Sequence, residues 1–241
     1  MSLYRDEAVV LRAWKLGEAD RIVSMHTRGH GRVRGVAKGI RRTRSKFGAR
    51  LEPASHVAVQ LYRGRGDLDT ITQVETIDRH PGIRIDPDRF ARASAMLEAV
   101  DQVAQDRVPD PARHAMLTRA LATLDTSDAP LVVAGFFLKL LAHEGVQPEL
   151  HRCVSCGSSE ALEAIDFLDG GVLCPTCRRG HPISREALSL LRQILGGRLG
   201  EALQADPGPV TAEVDKLVTV ALEGHLERRL RSIAVIDRHP G

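Results

Sequence analysis

Apolar and polar residues alternate in short segments over the first 80 residues, a pattern typical of strands that bury one face. The alternation is clearest at Val57, Val59 and Leu61, which are separated from one another by single residues. Turn signals rich in glycine divide these segments. The sequence therefore predicts a small closed barrel of the OB type. Its five strands are expected over Ala8–Trp14, Arg21–Thr27, Arg32–Ala37, 57–62 and Leu68–Ile77.

The pattern becomes helical after residue 85. Asp86-Pro87 and Asp110-Pro111 each join an N-cap residue to a proline at the first helical position. The last helix carries an apolar stripe at helical spacing, from Val214 to Leu230, which indicates a core-facing side. The helices are expected over 87–106, over 111–124, from Pro130 to near Gly145, and after the capping residues Ser184 and Thr211.

Together these patterns predict an α+β protein of two domains. Residues 1–80 are expected to form the OB-type barrel, and residues 81–241 a helical domain. A segment at about 150–182 interrupts the helical pattern, and it holds all of the cysteines in the chain. We expect this segment to be a separate module embedded in the helical domain.

The cysteines form two Cys-x-x-Cys pairs, Cys153 with Cys156 and Cys174 with Cys177, and 17 residues lie between the pairs. This spacing is typical of a site where four thiolates hold one zinc ion tetrahedrally. Four ligands leave no open position for water, so such a metal is structural. Two disulfides, or two redox-active pairs, are the alternatives. Nothing in the sequence suggests secretion, which favours reduced thiols and zinc.

Charge is distributed unevenly along the chain. Residues 1–80 contain 16 Lys/Arg and 9 Asp/Glu, a balance of +7, whereas residues 81–241 contain 18 and 22, a balance of −4. The stretch from Arg21 to Leu51 has ten basic residues and no acid. A field of one sign attracts polyanions, so nucleic acid is the expected partner. The alternative is a solvated basic loop.

The expected DNA contacts are the basic residues of this stretch, and Phe47 is the best candidate there to stack on a base. Trp14 and Tyr62 are expected at the rim or in the packing of the barrel, and Phe90 in the core. A second basic group on the last helix could touch DNA or only complement the helix dipole. The candidate DNA-binding residues are Arg32, Arg34, Lys38, Arg41, Arg42, Arg44, Lys46, Arg228 and Arg229.

Several classes of protein are disfavoured by the sequence. The first residues carry acids and no apolar run, so they are not expected to form a signal peptide. The apolar stretch from Pro130 to Leu141 is short and contains Lys139, so it is not expected to span a membrane. No Ser-His-Asp grouping, phosphate-binding glycine loop or acidic metal cluster is visible. We therefore expect a cytoplasmic, nucleoid-associated protein that is not an enzyme.

Several segments of the chain have the wording of a known family. The N-terminal ones are Glu7-Ala-Val-Val-Leu-Arg12, Gly17-Glu-Ala-Asp-Arg-Ile22, Ala37-Lys-Gly-Ile-Arg-Arg42, Phe47-Gly48 and Leu51-Glu-Pro53. The C-terminal ones are Phe136-Phe-Leu-Lys-Leu-Leu141, Pro148-Glu-Leu150, the two cysteine pairs with Gly170-Gly-Val-Leu-Cys174, and Leu226-Glu-Arg-Arg-Leu230. Together these segments resemble the RecO family of recombination mediators in DNA repair. The resemblance covers nearly the whole chain, although residues 85–130 share only helical character. Some members of the family lack the cysteines.

The resemblance implies binding to single- and double-stranded DNA and annealing of complementary strands. It also implies contact with RecR and with the acidic C-terminal tail of single-strand DNA-binding protein, which helps RecA load onto coated DNA. Carried over by motif, Lys38, Arg41, Arg42, Arg44 and Lys46 would contact DNA, as would Arg228 and Arg229. Two other classes remain open. One is a zinc-ribbon protein that uses an OB barrel to bind RNA or to act in transcription, and the other is a nucleic-acid enzyme such as a nuclease.

Overall fold

The N-terminal part of the chain folds into a closed barrel in the computed structural model, which describes residues 2–43, 45 and 47–232. Around the barrel the strands follow the order β1-β2-β3-β5-β4. Neighbours are antiparallel except β3 and β5, which pair in parallel. The predicted OB-type barrel of five strands is confirmed. The strands are β1 (Leu3–Leu16), β2 (Asp20–Thr27), β3 (Gly31–Ala37), β4 (His56–Tyr62) and β5 (Leu68–Asp78).

The alternation seen in the sequence determines which side chains fill the barrel. Ala8 and Val10 of β1 belong to the buried core, as do Val57, Val59 and Leu61 of β4. Successive residues of a strand point to opposite faces, so the residues between these core positions lie on the outer face of the barrel. The strand pattern thus fixes the core and, by the same rule, the outer surface.

Three helices follow the barrel: α1 (Pro81–Ile85), α2 (Pro87–Val103) and α3 (Pro111–Thr126). Asp86 caps α2 as predicted, because its side chain accepts hydrogen bonds from the backbone N–H groups of Asp88 and Arg89. Helix α2 ends three residues earlier than expected. The backbone beyond it pairs with β3, since Arg32 N–H donates to the Gln105 carbonyl and Arg107 N–H donates to the Arg32 carbonyl.

These helices and the barrel form one compact unit, which extends to Thr126 and includes the chain again from Leu230. The backbone N–H groups of Arg231 and Ser232 donate to the two carboxylate oxygens of Glu98 on α2, at 3.1 and 3.0 Å. The second compact unit is Ser127–Arg229. The domain boundary expected at residue 80 remains a prediction.

The second unit contains four helices whose ends differ in part from the expected ones. Ser184 caps its helix as predicted. Thr211 is not the cap of the last helix: Gly208 is, and the Thr211 hydroxyl accepts the Gly208 N–H at 2.9 Å. That helix ends at His225, before Leu226 and Leu230. The helices are α4 (Val132–His143), α5 (Arg185–Leu195), α6 (Leu199–Ala202) and α7 (Pro209–His225).

A small sheet replaces helix in the cysteine segment, in agreement with the break in the helical pattern. Its strand order is β7-β6-β8, and both pairings are antiparallel. Among the described residues no helix has the length and apolar character to cross a membrane. The strands of this sheet are β6 (Ala164–Asp166), β7 (Gly171–Leu173) and β8 (His181–Pro182).

Candidate nucleic-acid interface and metal centre

The loop that follows β3 presents three basic side chains to solvent, those of Lys38, Arg41 and Arg42. A turn at Gly39 starts this loop with a φ of +70°, which favours glycine, and its N–H donates to the Asp20 carboxylate at 2.7 Å. The Arg41 guanidinium donates to the carbonyls of Gly17 and Glu18, at 3.3 and 2.8 Å. We call residues 38–42 the basic loop.

Apolar side chains attach the chain to the barrel on both sides of the exposed arginines. Ile40 is 9% exposed and Phe47 is 1% exposed, and both belong to the barrel core. The expectation that Phe47 stacks on a base is therefore wrong, because its ring fills the barrel. Arg44 and Lys46, which the sequence also proposes as DNA contacts, lie outside the described residues.

Arg32 and Arg34, on β3, have a different environment. The Arg32 guanidinium contacts the Asp106 carboxylate at 2.6 Å, and that of Arg34 contacts it at 3.0 Å. Arg32 also donates to the Asp101 carbonyl. Burial opposes ionisation of Asp106, but the two guanidinium groups outweigh it and hold the pKa of Asp106 below its usual range. These two candidate DNA contacts are already paired with an acid.

Two more arginines of the acid-free stretch have carboxylate partners as well. Arg21 contacts Glu52 at 2.8 Å, and Arg28 contacts Glu7 at 3.7 Å. Within the described residues Lys38, Arg41 and Arg42 form no ion pair. The acids that the linear stretch lacks are thus supplied by other parts of the chain. Among the described residues, these acids do not pair with the charged side chains of the basic loop.

The other aromatic candidates differ in how far they are exposed to solvent. Trp14 is half-buried, and the guanidinium of Arg12 lies 4.9 Å from the centre of its ring, a cation–π contact. Tyr62 is 39% exposed at the end of β4, in agreement with a place at the rim. Phe90 was expected in the core but is 40% exposed on α2. Among the aromatic side chains on the described barrel strands, that of Tyr62 is the exposed one.

Arg228 and Arg229 are exposed, but they do not lie on a helix as expected. Helix α7 ends at His225, and the positive φ of Glu227, 52°, turns the chain away from the helical path. The error arises because the apolar stripe continues to Leu230 in sequence, although Leu230 packs in the first unit. Contact of these arginines with DNA remains a prediction.

The four cysteines come together in the second unit. One ligand atom of each lies within 4.8 Å of the others, and Cys156 Sγ and Cys174 Sγ are 3.7 Å apart. Each pair occupies a tight turn: Gly157 N–H donates to the Cys153 carbonyl at 2.8 Å, and Cys177 N–H donates to the Cys174 carbonyl at 3.1 Å. The four thiols are not bonded to one another, which disfavours the disulfide alternative.

The surroundings of the sulfurs suit a metal ion. Burial raises the pKa of Cys153, but backbone N–H groups of Cys174, Cys156 and Ser155 are directed at its sulfur and lower that pKa to about 6. Thiolates are the metal-binding form, so donors aimed at the Cys153 sulfur favour a cation there. At Cys156 the backbone N–H of Ser158 lowers the pKa, but the side chains of the other three cysteines outweigh it and raise that pKa to about 11. The cluster is compatible with a four-thiolate zinc site.

The second unit also contains an apolar cavity of about 420 Å³. It lies between α4, the cysteine segment and α7, and two histidines, His181 and His225, stand in its wall. Leu168 is 93% exposed and Val220 is 36% exposed, so part of this apolar surface is open to solvent. The sequence pattern did not reveal the cavity, because its lining residues come from separate segments.

The fold and these sites define a protein with an OB-type barrel, an exposed basic loop and a cysteine module. Residues 1–80 match the family described as "Recombination protein O N terminal", and residues 84–234 match "Recombination protein O C terminal". Together the two matches cover nearly the whole chain, so the protein belongs to the RecO family. Membership supports a role in DNA repair and recombination, and it agrees with the resemblance found in the sequence.

Proposed function

We propose that this protein is a recombination mediator that binds single- and double-stranded DNA and anneals complementary strands. It is not an enzyme in this proposal, and it acts in the cytoplasm on nucleoid DNA. The observation that carries the proposal is the basic loop, where Lys38, Arg41 and Arg42 are exposed and have no carboxylate partner in the part of the chain that the structure describes. Such cations pair with phosphate and release counterions from DNA.

Annealing follows from charge rather than from chemistry on the strands. Two complementary strands repel each other, and a cationic surface screens that repulsion while base pairing supplies the specificity. Contacts of lysine and arginine with phosphate carry no sequence information, so all sequences should anneal alike. No nucleotide hydrolysis is needed for this step.

The test measures annealing of two labelled complementary DNA strands by the purified protein, without ATP. Replacement of Lys38, Arg41 and Arg42 by glutamine should slow annealing strongly, whereas R32Q/R34Q should leave it nearly unchanged. Annealing that requires ATP, cleavage of either strand, or a strong preference for RNA strands would contradict the proposal. Equal rates for the parent and the loop variant would show that the basic loop is only solvated.

We further propose that Cys153, Cys156, Cys174 and Cys177 hold one structural zinc ion. With four thiolates as ligands, zinc would join the two turns of the cysteine segment and leave no position for a reacting water. Elemental analysis of freshly purified, reduced protein should find zinc in this site. Cys153→Ser should lose that zinc and lower the free energy of unfolding by more than about 2 kcal/mol. Ser155→Ala, between the first two cysteines, is the matched control and should keep the metal.

The partners that we propose are RecR and single-strand DNA-binding protein, and through them RecA loading on coated DNA. For the acidic tail of the coating protein we propose the apolar cavity beside α7, whose wall includes two histidines. Val220→Glu places an acid in the cavity and should weaken binding of a peptide with that tail. Ala212→Glu, on the exposed part of the same helix, is the matched control. Equal peptide affinity for both variants would remove the cavity from the proposal. No residues are proposed for RecR.

A further inference from the structure

A row of side chains crosses three strands on the outer face of the barrel. Val9 of β1 pairs with His26 of β2 on one side and with His56 of β4 on the other. Ala8 and Val10 point into the barrel core, so Val9 and its two partners lie on the outer face. Glu7 shares that face, because residues two apart on a strand point the same way.

Helix α3 covers this row with a third histidine. The ring of His114 lies 5.7 Å from that of His56 and 6.0 Å from that of His26, measured between centroids. His56 Nε2 and Glu7 Oε1 are 2.8 Å apart. One ligand atom from each of Glu7, His56 and His114 lies within 4.8 Å of the other two. The barrel and α3 therefore bring two imidazoles and a carboxylate together.

His114 has unused hydrogen-bonding capacity in this group. It is 2% exposed, and its buried Nε2 has no hydrogen-bond partner among the described residues. A buried polar atom without a partner costs free energy, so binding of a ligand to this nitrogen would be favourable. A ring nitrogen of imidazole is a common metal ligand, so a cation could satisfy this atom.

We propose that Glu7, His56 and His114 bind one divalent transition-metal cation, of the class of Zn²⁺, Co²⁺ or Ni²⁺. Imidazole nitrogens with one carboxylate oxygen suit these cations, whereas Mg²⁺ and Ca²⁺ prefer oxygen ligands alone. If a cation lies about 2.1 Å from each of the three ligand atoms, any two of these atoms are at most about 4.2 Å apart. In the structure they lie within 4.8 Å of one another, so side-chain shifts of roughly half an ångström suffice.

The neighbouring charges are compatible with a cation. Arg113 contacts Asp110 at 3.1 Å, away from the three ligands. Arg28 contacts Glu7 through Oε2 at 3.7 Å, so it would share that carboxylate with a cation bound at Oε1, the oxygen beside His56. The Glu7 side chain is 35% exposed, which gives an ion a path from solvent. His26 lies outside the group of three and is not a ligand in this proposal.

A cation in this site would join β1, β4 and α3. It would cross-link the barrel to the helix that covers it, as structural metals link segments distant in sequence. Binding to the folded state alone stabilises that state in proportion to the logarithm of the metal concentration. The consequence to measure is a metal-dependent stability of the first unit that does not involve the cysteines.

The experiment is equilibrium dialysis of untagged, reduced, full-length protein against Zn²⁺, with metal and protein measured in the same samples. The parent should hold about two ions per chain, one at the cysteines and one at this site. Glu7→Gln and His114→Asn should each hold one, with affinity for the second ion reduced by more than about tenfold. His30→Asn is the matched control, because His30 pairs with Asp6 outside the group and should leave both ions bound.

A second measurement uses Co²⁺, whose spectrum distinguishes the two sites without any variant. Thiolate ligands give intense near-ultraviolet charge-transfer bands, whereas nitrogen and oxygen ligands do not. The first equivalent should produce these bands, and a second should bind without further growth of them while raising the melting temperature. A parent that binds only at the cysteines overturns the proposal, and so does a second ion retained equally by Glu7→Gln and His114→Asn. Loss of the thiolate bands alone would instead overturn the zinc proposal for the cysteines.

Discussion

Strand β3 and the basic loop directly after it both contain arginines, but the electrostatic environments of these arginines are opposite. Arg32 and Arg34 share the carboxylate of Asp106, which lies more than 70 positions later in the chain. Arg41 and Arg42 are exposed and contact no carboxylate in the described residues. The difference lies in what the fold places opposite each group, since the backbone beyond α2 pairs with β3 but not with the loop.

This comparison shows that a run of basic residues is not by itself a binding surface. The balance of charge along the sequence counts Arg32 and Arg41 equally. In the fold, an arginine that pairs with an acid must give up that contact before it can bind phosphate. Arg41 has no acid to give up in the described residues, and its contacts are with the uncharged carbonyls of Gly17 and Glu18. DNA affinity should therefore depend on the loop far more than on the strand.

The largest expected effect comes from the loop. Replacing Lys38, Arg41 and Arg42 by glutamine removes three phosphate contacts, and each contributes about 0.7 to the log–log salt slope on single strands. The slope should fall by about 2, and affinity at 0.1 M salt by about 100-fold, alike for all sequences. Fluorescence anisotropy with a labelled oligonucleotide over a salt series measures both. An unchanged slope would mean that the loop does not touch DNA.

The second effect separates charge from position. Asp106→Asn removes the carboxylate that Arg32 and Arg34 share, although Arg32 keeps its contacts with Asp101. The salt slope should therefore increase by about 0.7 for Arg34 and by at most about 1.4 for both, and affinity should rise several-fold. Asp67→Asn is the matched control, since it makes the same change in net charge at an exposed aspartate that has no ion pair in the described structure. If both variants tighten binding equally, net charge rather than the release of Arg32 and Arg34 is the cause.

The third effect concerns stability. R32Q/R34Q removes the ion pairs of Arg32 with Asp106 and Asp101, the ion pair of Arg34 with Asp106, and the contact of Arg32 with the Asp101 carbonyl. The free energy of unfolding should therefore fall by about 1 kcal/mol. DNA affinity should change less than about threefold, because these arginines were already paired. Urea denaturation measures the free energy of unfolding, and fluorescence anisotropy on the same samples measures the DNA affinity. A large loss of affinity with unchanged stability would reverse the comparison.

The smallest effect is a dependence on pH. The folded-state pKa of Asp106 is lowered, so its ion pairs stabilise the protein above the ordinary aspartate pKa of about 3.9 and cease to do so as pH falls through the lower folded value. Because Asp106 is partly exposed, the contribution is a fraction of a kcal/mol. The parent should lose slightly more stability than D106N between pH 5 and pH 3, measured by urea denaturation. Identical curves would show that Asp106 does not stabilise the fold.

Much of the fold could be predicted because its signals are local. The alternation in β4, the N-cap Asp86 with its following proline and the spacing within each cysteine pair each act within a few residues. What could not be predicted depends on contacts between distant segments. The burial of Phe47 follows from closure of the barrel, and the pairing of Arg34 with Asp106 follows from the backbone beyond α2. No pattern along the sequence carries such information.

The errors at helix ends have a similar cause. The apolar residues Leu226 and Leu230 extend the stripe of α7 in sequence, but Glu227 adopts a positive φ and Leu230 belongs to the first unit. Thr211 is a typical cap residue, yet Gly208 precedes Pro209 and takes that position. Hydrophobic periodicity shows that a residue is apolar but not which part of the protein it packs against. It therefore overestimates the length of a helix where the chain passes from one compact unit to the other.

The return of the chain to the first unit at Leu230 has a consequence for synthesis on the ribosome. The second unit lies between two parts of the first in sequence, so the barrel and α1–α3 emerge early, but the groups that hold Glu98 emerge only with Arg231 and Ser232. Domains generally fold as they leave the ribosome, N-terminal first. Here the last hydrogen bonds of the first unit can form only after the whole of the second unit has been synthesised. In a nascent chain paused before residue 230, the Glu98 carboxylate therefore lacks those two donors.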